Sequence, residues 1–422
     1  MEPIDYPLDE AGPPRLNPAY AELREQQPLA RARMPYGEEA WFATRYADVR
    51  TVMSDPRLSR ALAKEHDEPR VFPVMPDVNI MGMDPPEHTR LRKVAARAFT
   101  ERQVRRLRPR MQRIAHDLID AMAAAGPPLD LVSHFGMPFP VTVIAELFGV
   151  PAEDQPLFTG WSKALTATTS MTGERIAESY ANLERYVADL MDQRAARPAD
   201  DLPSDLVAAY RADGGTSRDE LARLGMMLLA TGHGSTANQI SYGAYLLLST
   251  PDQAEKLTKD PDLINSAVEE LLRFGKNDEA AIFARYARED VELGGIVVRA
   301  GEPVLGSRVA ANHDPRVFTD PEHLDITRSP NPHIAFGHGP HHCPGAQLAR
   351  AELQIGLGTL LRRFPELRLA VSPEELVWQG GSQARIFAEL PVTWWPPGHP
   401  PGPEPGSGGS APGDPEQRQP SQ

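Results

Sequence analysis

The 422-residue chain contains a single cysteine, Cys343, which stands in a glycine-rich stretch at residues 336–345. Apolar residues with helical spacing begin shortly after it, so the sulfur is predicted to lie just before a helix. There the positive end of the helix dipole and free backbone N–H groups are expected to lower the thiol pKa and to prepare the sulfur for a metal. One thiolate is too few for a zinc site or an iron–sulfur cluster, which take about four protein ligands, but it suffices as an axial ligand of a haem iron. The alternative for a lone cysteine is a small buried apolar side chain.

The residues around Cys343 favour the haem alternative. Phe336, Gly339, Cys343 and Gly345 form the pattern Phe-x-x-Gly-x-x-x-Cys-x-Gly, and His341 flanks the cysteine. This pattern resembles the haem-binding loop of the cytochrome P450 family. The resemblance implies that Cys343 ligates the iron of haem b (iron protoporphyrin IX). It also implies that Phe336, Gly339, His341 and Gly345 contact this cofactor.

The same resemblance implies the fold class. It implies a mostly α (α+β) cytochrome P450 fold, with a large helical domain and a smaller β-rich region. The haem would be buried between a long central helix and the helix that follows Cys343. The rest of the chain is mostly helical in pattern, and short strand-like pieces stand near residues 40–44, 292–298, 302–306 and 384–394.

Composition divides the chain and excludes some partners. We expect an N-terminal extension at residues 1–14, the P450 domain at residues 15–395, and a disordered tail rich in Pro, Gly and Ser at residues 396–422. The formal net charge of −14 argues against nucleic acid as a partner. The chain has no run of 18 apolar residues and no leader pattern, so no membrane partner is expected. A single cysteine suits a reducing cytoplasm, which is the predicted location.

Two basic side chains precede the central region at a spacing that suits a carboxylate ligand. Pro86 can begin a helix, on which His88 and Arg92 are i,i+4 neighbours. They could hold a haem propionate, or they could belong to an ordinary solvated helix face. The resemblance implies the first role, and it adds Arg285 and His341 as further donors. Four donors would then face two carboxylates.

Residues 221–248 have a long helical pattern that contains Gly232 and Gly234, and two glycines predict a local distortion. In the P450 family the corresponding helix crosses the haem and carries an acid–alcohol pair that relays protons. Ser235 takes the place of the alcohol, but Gly234 takes the place of the acid. Thr236 is a second hydroxyl, expected to face the core.

The missing acid leaves three alternatives. Substrate hydroxyls or water could complete the proton relay, which is the alternative that we favour. Asp278 or Glu279 could reach in from elsewhere. The enzyme could also need less of the relay, because it couples or rearranges its substrate without oxygen insertion.

Other site residues follow from the resemblance. Loop residues Met81 and Met83 are expected to line the substrate pocket, although flexible methionines also fill core gaps. Thr231, His233 and Ile282 are predicted to line the same pocket, and His233 is not expected to ligate iron. A structural role is predicted for the i,i+3 pair Glu270 and Arg273, which the family buries with a later arginine, here Arg328.

The arginine-rich segment at residues 90–113 contains only one acid, Glu101. It could steer an acidic electron carrier, or it could be merely solvated. Pro344, directly after the cysteine, has no N–H with which to hydrogen-bond the sulfur. We therefore expect a thiolate that donates more electron density to iron.

The resemblance implies an oxidoreductase, a haem-thiolate monooxygenase that activates dioxygen. It would hydroxylate or epoxidise a small organic molecule in natural-product biosynthesis. Its electrons would come from NAD(P)H through external partners, ferredoxin and ferredoxin reductase. Two alternatives remain: a P450-type enzyme for oxidative coupling or rearrangement, favoured by Gly234, and a non-catalytic haem-binding protein.

Overall fold

The structure is a computed structural model that describes residues 2–8, 16–73, 79–215, 217–275, 283–379 and 386–394. The side chains of residues 97, 98 and 165 are also outside the description. The predicted tail at residues 396–422 and both predicted domain boundaries lie outside the described residues. The division into three segments therefore stays a prediction.

Helices make up most of the described chain, as predicted, and their ends carry recognisable signals. Thr100, Thr172 and Ser217 each accept a backbone N–H of the helix that follows them, which satisfies a donor that the helix itself leaves unpaired. The helices are α1 (Pro18–Gln26), α2 (Tyr46–Ser54), α3 (Glu87–Ala98), α4 (Glu101–Ala125), α5 (Pro138–Phe148), α6 (Gln155–Ser162), α7 (Gly173–Ala196), α8 (Leu202–Ala212), α9 (Arg218–Thr231), α10 (Gly234–Leu248), α11 (Pro251–Lys259), α12 (Ile264–Phe274), α13 (Arg308–Asn312) and α14 (Ala346–Arg363).

Short strands form four small sheets in the described part of the chain. The strands are β1 (Ile4–Asp5), β2 (Leu29–Arg33), β3 (Ala40–Ala43), β4 (Leu58–Ser59), β5 (Leu129–Asp130), β6 (Arg285–Ala287), β7 (Val291–Leu293), β8 (Ile296–Val298), β9 (Pro303–Gly306), β10 (Arg368–Leu369), β11 (Trp378–Gln379), β12 (Ile386–Phe387) and β13 (Pro391–Thr393). The largest sheet has the order β1-β2-β3-β9-β6-β4, the next has the order β10-β13-β5, and β7-β8 and β11-β12 are two-stranded.

Two predicted elements differ from the observed ones. The strand-like piece near residues 292–298 is a hairpin, because Gly294 and Gly295 both have positive φ and form its two-residue turn. Strand β1 lies inside the segment predicted as an N-terminal extension. It pairs in parallel with β2, which joins that segment to the largest sheet.

The main apolar core lies among the helices, and α14 packs along α4, α10 and α12 within it. A Cβ on Gly243 of α10 would lie 3.2 Å from Cδ1 of Leu357 in α14, so the small residue lets the two helices approach closely. Leu357 is fully buried, and such burial contributes roughly 1.5–3 kcal/mol per aliphatic side chain. The helix that follows Cys343 is therefore fixed along its length by tertiary packing.

Among the described residues, no helix is both long enough and apolar enough to cross a membrane.

Candidate active site

Cys343 is held by a loop, residues 336–345, that packs against α2 and is called the cysteine loop below. Its backbone N–H donates to the carbonyl oxygen of Phe336 at 2.8 Å, which closes the loop. Gly339 has a φ of +71°, and a Cβ on it would lie 2.7 Å from the carbonyl oxygen of Met53. Only glycine satisfies both conditions. The loop thus fixes the half-buried Cys343 just before α14 begins.

Gly345 borders the sulfur of Cys343. Within 4 Å, a Cβ on Gly345 would meet only Sγ of Cys343, at 4.0 Å. The glycine therefore keeps a side chain away from the sulfur, which suits a thiolate that must bind a metal.

The pKa of the Cys343 thiol differs from the expectation. Burial raises this pKa, whereas the sequence pattern predicted a lowered value. A backbone hydrogen bond from Gly345 and the positive charges of Arg308, Arg92 and Arg350 act in the opposite direction. The prediction was wrong because it counted the helix terminus and omitted the loss of solvent. A metal cation on the sulfur would supply the stabilisation that water no longer gives.

A cluster of basic side chains forms beside the cysteine loop. The rings of His88 and His341 lie 4.2 Å apart between their centroids. Burial, together with the positive charges of Arg285, His88 and Arg60, lowers the pKa of His341 to about 3. Burial and the charge of Arg60 lower the pKa of Arg285 to about 9. Positive groups that depress one another's pKa values fit an anionic ligand, such as the two carboxylates of haem.

Arg92, the fourth predicted carboxylate donor, lies near this cluster, because burial and the charge of Arg92 lower the pKa of His88. Arg92 donates from Nη2 to the backbone carbonyl of His342, so in this structure it ties α3 to the cysteine loop. Arg60 takes part in the cluster although the sequence did not single it out, and its Nη1 is 2.5 Å from Glu68 Oε1. It follows the short strand β4, and no local spacing signals its approach to Arg285.

The central helix is broken at the predicted place. Helix α9 ends at Thr231, and α10 begins at Gly234. A Cβ on Gly232 would lie 2.8 Å from both Ile144 Cδ1 and the Leu228 carbonyl oxygen, so this glycine is required by packing. A Cβ on Gly234 would meet no atom within 4 Å. The position without the acid is therefore open, with space for a side chain.

Two hydroxyl groups flank the break. Thr231 and Ser235 are exposed, and Ser235 Oγ donates to the Thr231 carbonyl oxygen over a long 3.4 Å. The Thr231 hydroxyl is held more firmly, 2.6 Å from the Met227 carbonyl oxygen. Thr236 is buried, in the orientation expected from the sequence. Ser235 thus has the freer hydroxyl of the two exposed groups.

His233 is packed inside the protein. Its ring is buried and meets Phe158 of α6 edge to face, with 5.5 Å between centroids. Its Nδ1 donates to the Leu229 carbonyl oxygen at 3.1 Å. Burial lowers the pKa of His233, which keeps the imidazole neutral near pH 7.

Of the other predicted pocket residues, Met81 and Met83 are described in the structure and Ile282 is not. Met81 and Met83 are partly buried against the helical core, and the Met81 carbonyl accepts from Arg60 Nε at 3.2 Å. Ile282 lies outside the described residues, as do Asp278 and Glu279. The pocket role stays a prediction for Met81, Met83, Thr231, His233 and Ile282.

The structure joins Glu270, Arg273 and Arg328 in one buried network. Both carboxylate oxygens of Glu270 accept from Arg273 at 2.7 Å, and both accept from Arg328 Nε at 3.1 Å. Both arginines also donate to the carbonyl oxygen of His323. The network links α12 to the segment that leads into the cysteine loop.

A second ion pair, which the sequence reasoning missed, lies directly beside that loop. Glu269 accepts two hydrogen bonds from Arg350 of α14, at 2.7 and 2.9 Å, and its Oε2 is 2.9 Å from His333 Nε2. The Arg350 guanidinium lies over the Phe336 ring at 4.6 Å from its centroid. The only signal in the sequence was the position of Glu269 next to Glu270.

Helix α14 also buries a carboxyl group. Glu352 is fully buried, and neither side-chain oxygen has a hydrogen-bond partner. Burial raises the pKa of Glu352 well above its ordinary value. Burial without a hydrogen-bond partner thus favours the neutral carboxyl group in the folded protein.

Comparisons with known proteins point to one family. The cytochrome P450 family model matches residues 168–374. Nocardicin C N-oxygenase of Nocardia uniformis subsp. tsuyamanensis is 51% identical, over 92% of this chain and 98% of its own length. Mycinamicin IV hydroxylase/epoxidase of Micromonospora griseorubida is 47% identical, over 93% of this chain and 99% of its own length. The crystal structure of cytochrome P450mel 107F1 with biaryl coupling reactivity superposes with a TM-score of 0.89 at 38% identity, covering 93% of this chain and all of its own.

The fold and the cysteine loop point to the same family as the likeness to these proteins, which covers more than nine-tenths of the chain. The chain belongs to the cytochrome P450 family and is a haem-dependent oxidoreductase of that family.

Proposed function

We propose that this chain is a haem-thiolate monooxygenase that hydroxylates or epoxidises a small organic molecule in natural-product biosynthesis. The Cys343 thiolate would hold the haem iron. The observation that carries the proposal is the loop that holds Cys343 just before α14, with Gly345 in place of a side chain beside its sulfur. The N-oxygenase and the hydroxylase/epoxidase among the relatives support oxygen insertion.

The residues of the basic cluster bind the carboxylates of the haem. His88, His341 and Arg285 lie together, and their depressed pKa values favour a site that receives negative charge. Arg92 joins them by exchanging its bond to the His342 carbonyl for a carboxylate. When bound, the haem supplies dioxygen activation, which the thiolate promotes by donating electron density. Phe336, Gly339 and Gly345 shape the loop against it.

Proton transfer uses Ser235 together with a water molecule or a substrate hydroxyl. Gly234 has no carboxyl, and the space beside it is open. The Ser235 hydroxyl is exposed and only weakly bonded, so it can donate to or accept from a water or a substrate hydroxyl. Thr231, His233, Met81 and Met83 border the substrate. The Thr236 hydroxyl turns into the core.

Electrons come from NAD(P)H through ferredoxin reductase and ferredoxin, which docks on the basic face of α4. Arg102, Arg110 and Arg113 are exposed on this helix. Other arginines nearby are partly neutralised, because Arg90 pairs with Glu220 and Arg106 with Asp200. The exposed arginines give the encounter its charge complementarity. The protein acts in the reducing cytoplasm, which suits both its single cysteine and this electron carrier.

Two measurements test the proposal. The reduced protein with bound carbon monoxide should absorb at about 450 nm, the position expected of thiolate ligation, and Cys343→Ser should lose this band. Turnover under labelled dioxygen should place one labelled oxygen atom in the product. A band at about 450 nm that survives Cys343→Ser would refute the ligand assignment.

Oxidative coupling or rearrangement is the second candidate function. The absent acid at Gly234 favours it, and the structural neighbour with biaryl coupling reactivity supports it. The labelling experiment separates the two candidates, since a coupled product carries no oxygen from dioxygen.

A further inference from the structure

An ion pair between α12 and α14 lies beside the ring of Phe336, the first residue of the cysteine loop. Arg350 of α14 donates two hydrogen bonds to Glu269 of α12, from Nε to Oε1 at 2.7 Å and from Nη2 to Oε2 at 2.9 Å. Their side chains are 29% and 24% exposed, so solvent screens them only in part. His333, with 2% of its side chain exposed, donates to the same carboxylate and holds it in place.

Arg350 connects this pair to the cysteine. Its guanidinium covers the face of Phe336, and the Phe336 carbonyl accepts the Cys343 N–H. The charge of Arg350 also acts on the sulfur itself, where it lowers the thiol pKa. Glu269 accepts from Nε and Nη2 of the guanidinium, and its bonds to His333 and Arg350 outweigh its burial and hold its pKa at about 2, so it is ionised at pH 7. The positive group that acts on the sulfur is thus paired with a carboxylate that partly compensates its charge.

We propose that Arg350 and Glu269 set the one-electron reduction potential of the haem bound at Cys343, with Arg350 raising it and Glu269 lowering it. This inference rests on the proposed haem-thiolate function. In the reduction, the ferric haem takes one electron from the external carrier, and no covalent bond of the protein forms or breaks. The site becomes more negative by one charge, so a nearby positive group stabilises the reduced state and a negative group destabilises it.

Arg350 is at the same time a positioning residue. A planar guanidinium can stack on Phe336 and bind a carboxylate with two bonds, and lysine can do neither. Arg350→Lys therefore keeps the charge and loses the geometry. Charge and positioning can be measured separately in this way.

The test is a spectroelectrochemical titration of the holoenzyme. Arg350→Gln should lower the reduction potential, and Glu269→Gln should raise it. The larger shift should change the ferric–ferrous equilibrium at least about threefold, which is about 28 mV for a one-electron couple. The Glu269→Gln/Arg350→Gln double variant should return towards the starting potential. Arg350→Lys should stay close to the starting potential. A larger fraction of its reduced, carbon monoxide-bound form should absorb at about 420 nm, because Phe336 is held less firmly.

A matched control lies on the same helix. Arg363 pairs with Asp120 at 3.5 Å, and both side chains are more than half exposed. Arg363→Gln should leave the potential unchanged. The proposal is overturned if both single variants shift the potential in the same direction, or if Arg363→Gln shifts it as much as Arg350→Gln.

Failure of the underlying function would look different. If the unaltered protein gives no carbon monoxide band at about 450 nm, the haem-thiolate assignment itself is wrong. If Arg350→Gln does not retain haem, Glu269→Gln still decides the matter, because it removes the negative charge and leaves Arg350 in place, and Arg350→Lys, which keeps both charges, is its reference. An unchanged potential in Glu269→Gln with the band intact would refute the electrostatic role.

Discussion

The imidazole rings of His88 and His341 lie 4.2 Å apart, although one belongs to α3 and the other to the cysteine loop. Arg285 of β6 adds its charge to the pair. Three segments far apart in the chain therefore bring basic groups to one place. The repulsion among them becomes useful when two carboxylates arrive.

Replacement of Arg285 should weaken haem retention. A hydrogen bond between charged groups is worth about 1.5–3 kcal/mol, so Arg285→Gln should release haem about 10- to 100-fold faster. The rate is measured by haem transfer to apomyoglobin. Arg299→Gln is the control, because Arg299 is exposed in the β7–β8 hairpin region. Equal rates in the two variants would contradict the carboxylate role of Arg285.

An acid at position 234 should be tolerated and should improve the coupling of electron use to product. Gly234 opens α10, and its Cβ position is empty, so Gly234→Asp avoids the helix cost of glycine and suits the helix dipole. Stability should rise by about 0.5–1 kcal/mol, and product formed per NAD(P)H should increase. Gly232→Ala is the contrast, since its Cβ would meet Ile144 and the Leu228 carbonyl; it should destabilise. A Gly234→Asp variant with no gain in coupling would argue against a limiting proton supply.

Loss of Glu270 should unfold the region around the cysteine loop. Glu270→Gln leaves the fully buried Arg273 without its counter-charge, and breaking such a pair costs about 3–5 kcal/mol. Denaturant unfolding and haem content both report the loss. Glu255→Gln removes an exposed partner of Lys259 and should change stability by less than about 1 kcal/mol. If both variants unfold alike, the buried network has no special weight.

Glu352 should make the protein less stable as pH rises. The folded-state pKa of Glu352 is raised, whereas the unfolded chain titrates at about 4.3, so above that pH the unfolded state loses a proton that the folded state keeps. The protein's free energy of unfolding should therefore fall by up to about 1.4 kcal/mol for each pH unit until the folded-state pKa of Glu352 is passed. The difference in unfolding free energy between the protein and Glu352→Gln, measured at pH 5 and pH 8, checks this. A difference that does not depend on pH would mean that Glu352 is ionised in the fold.

Pro344 should keep the haem potential low. Gly345 gives the sulfur a backbone hydrogen bond, and Pro344 has no N–H to add a second. Pro344→Leu and Pro344→Ala both restore an N–H, so both should raise the reduction potential. Agreement between the two would assign the effect to the amide. A potential unchanged in both would show that residue 344 does not influence the sulfur.

The sequence by itself determined the features that depend on local residue type. The glycines around Cys343 and the break between Thr231 and Gly234 were predictable, because glycine controls backbone conformation and helix continuity within a few residues. The i,i+3 spacing of Glu270 and Arg273 likewise lies within one helix turn. The mostly helical class followed from apolar periodicity and from the family resemblance.

Only the tertiary structure decided which distant charges meet and how much water reaches them. It placed Arg60 beside Arg285, turned Arg92 to the His342 carbonyl, and brought Glu269 to Arg350. The raised pKa of Cys343 has the same origin, since desolvation depends on every segment packed around the sulfur. These properties arise from contacts between remote segments, which no local spacing encodes.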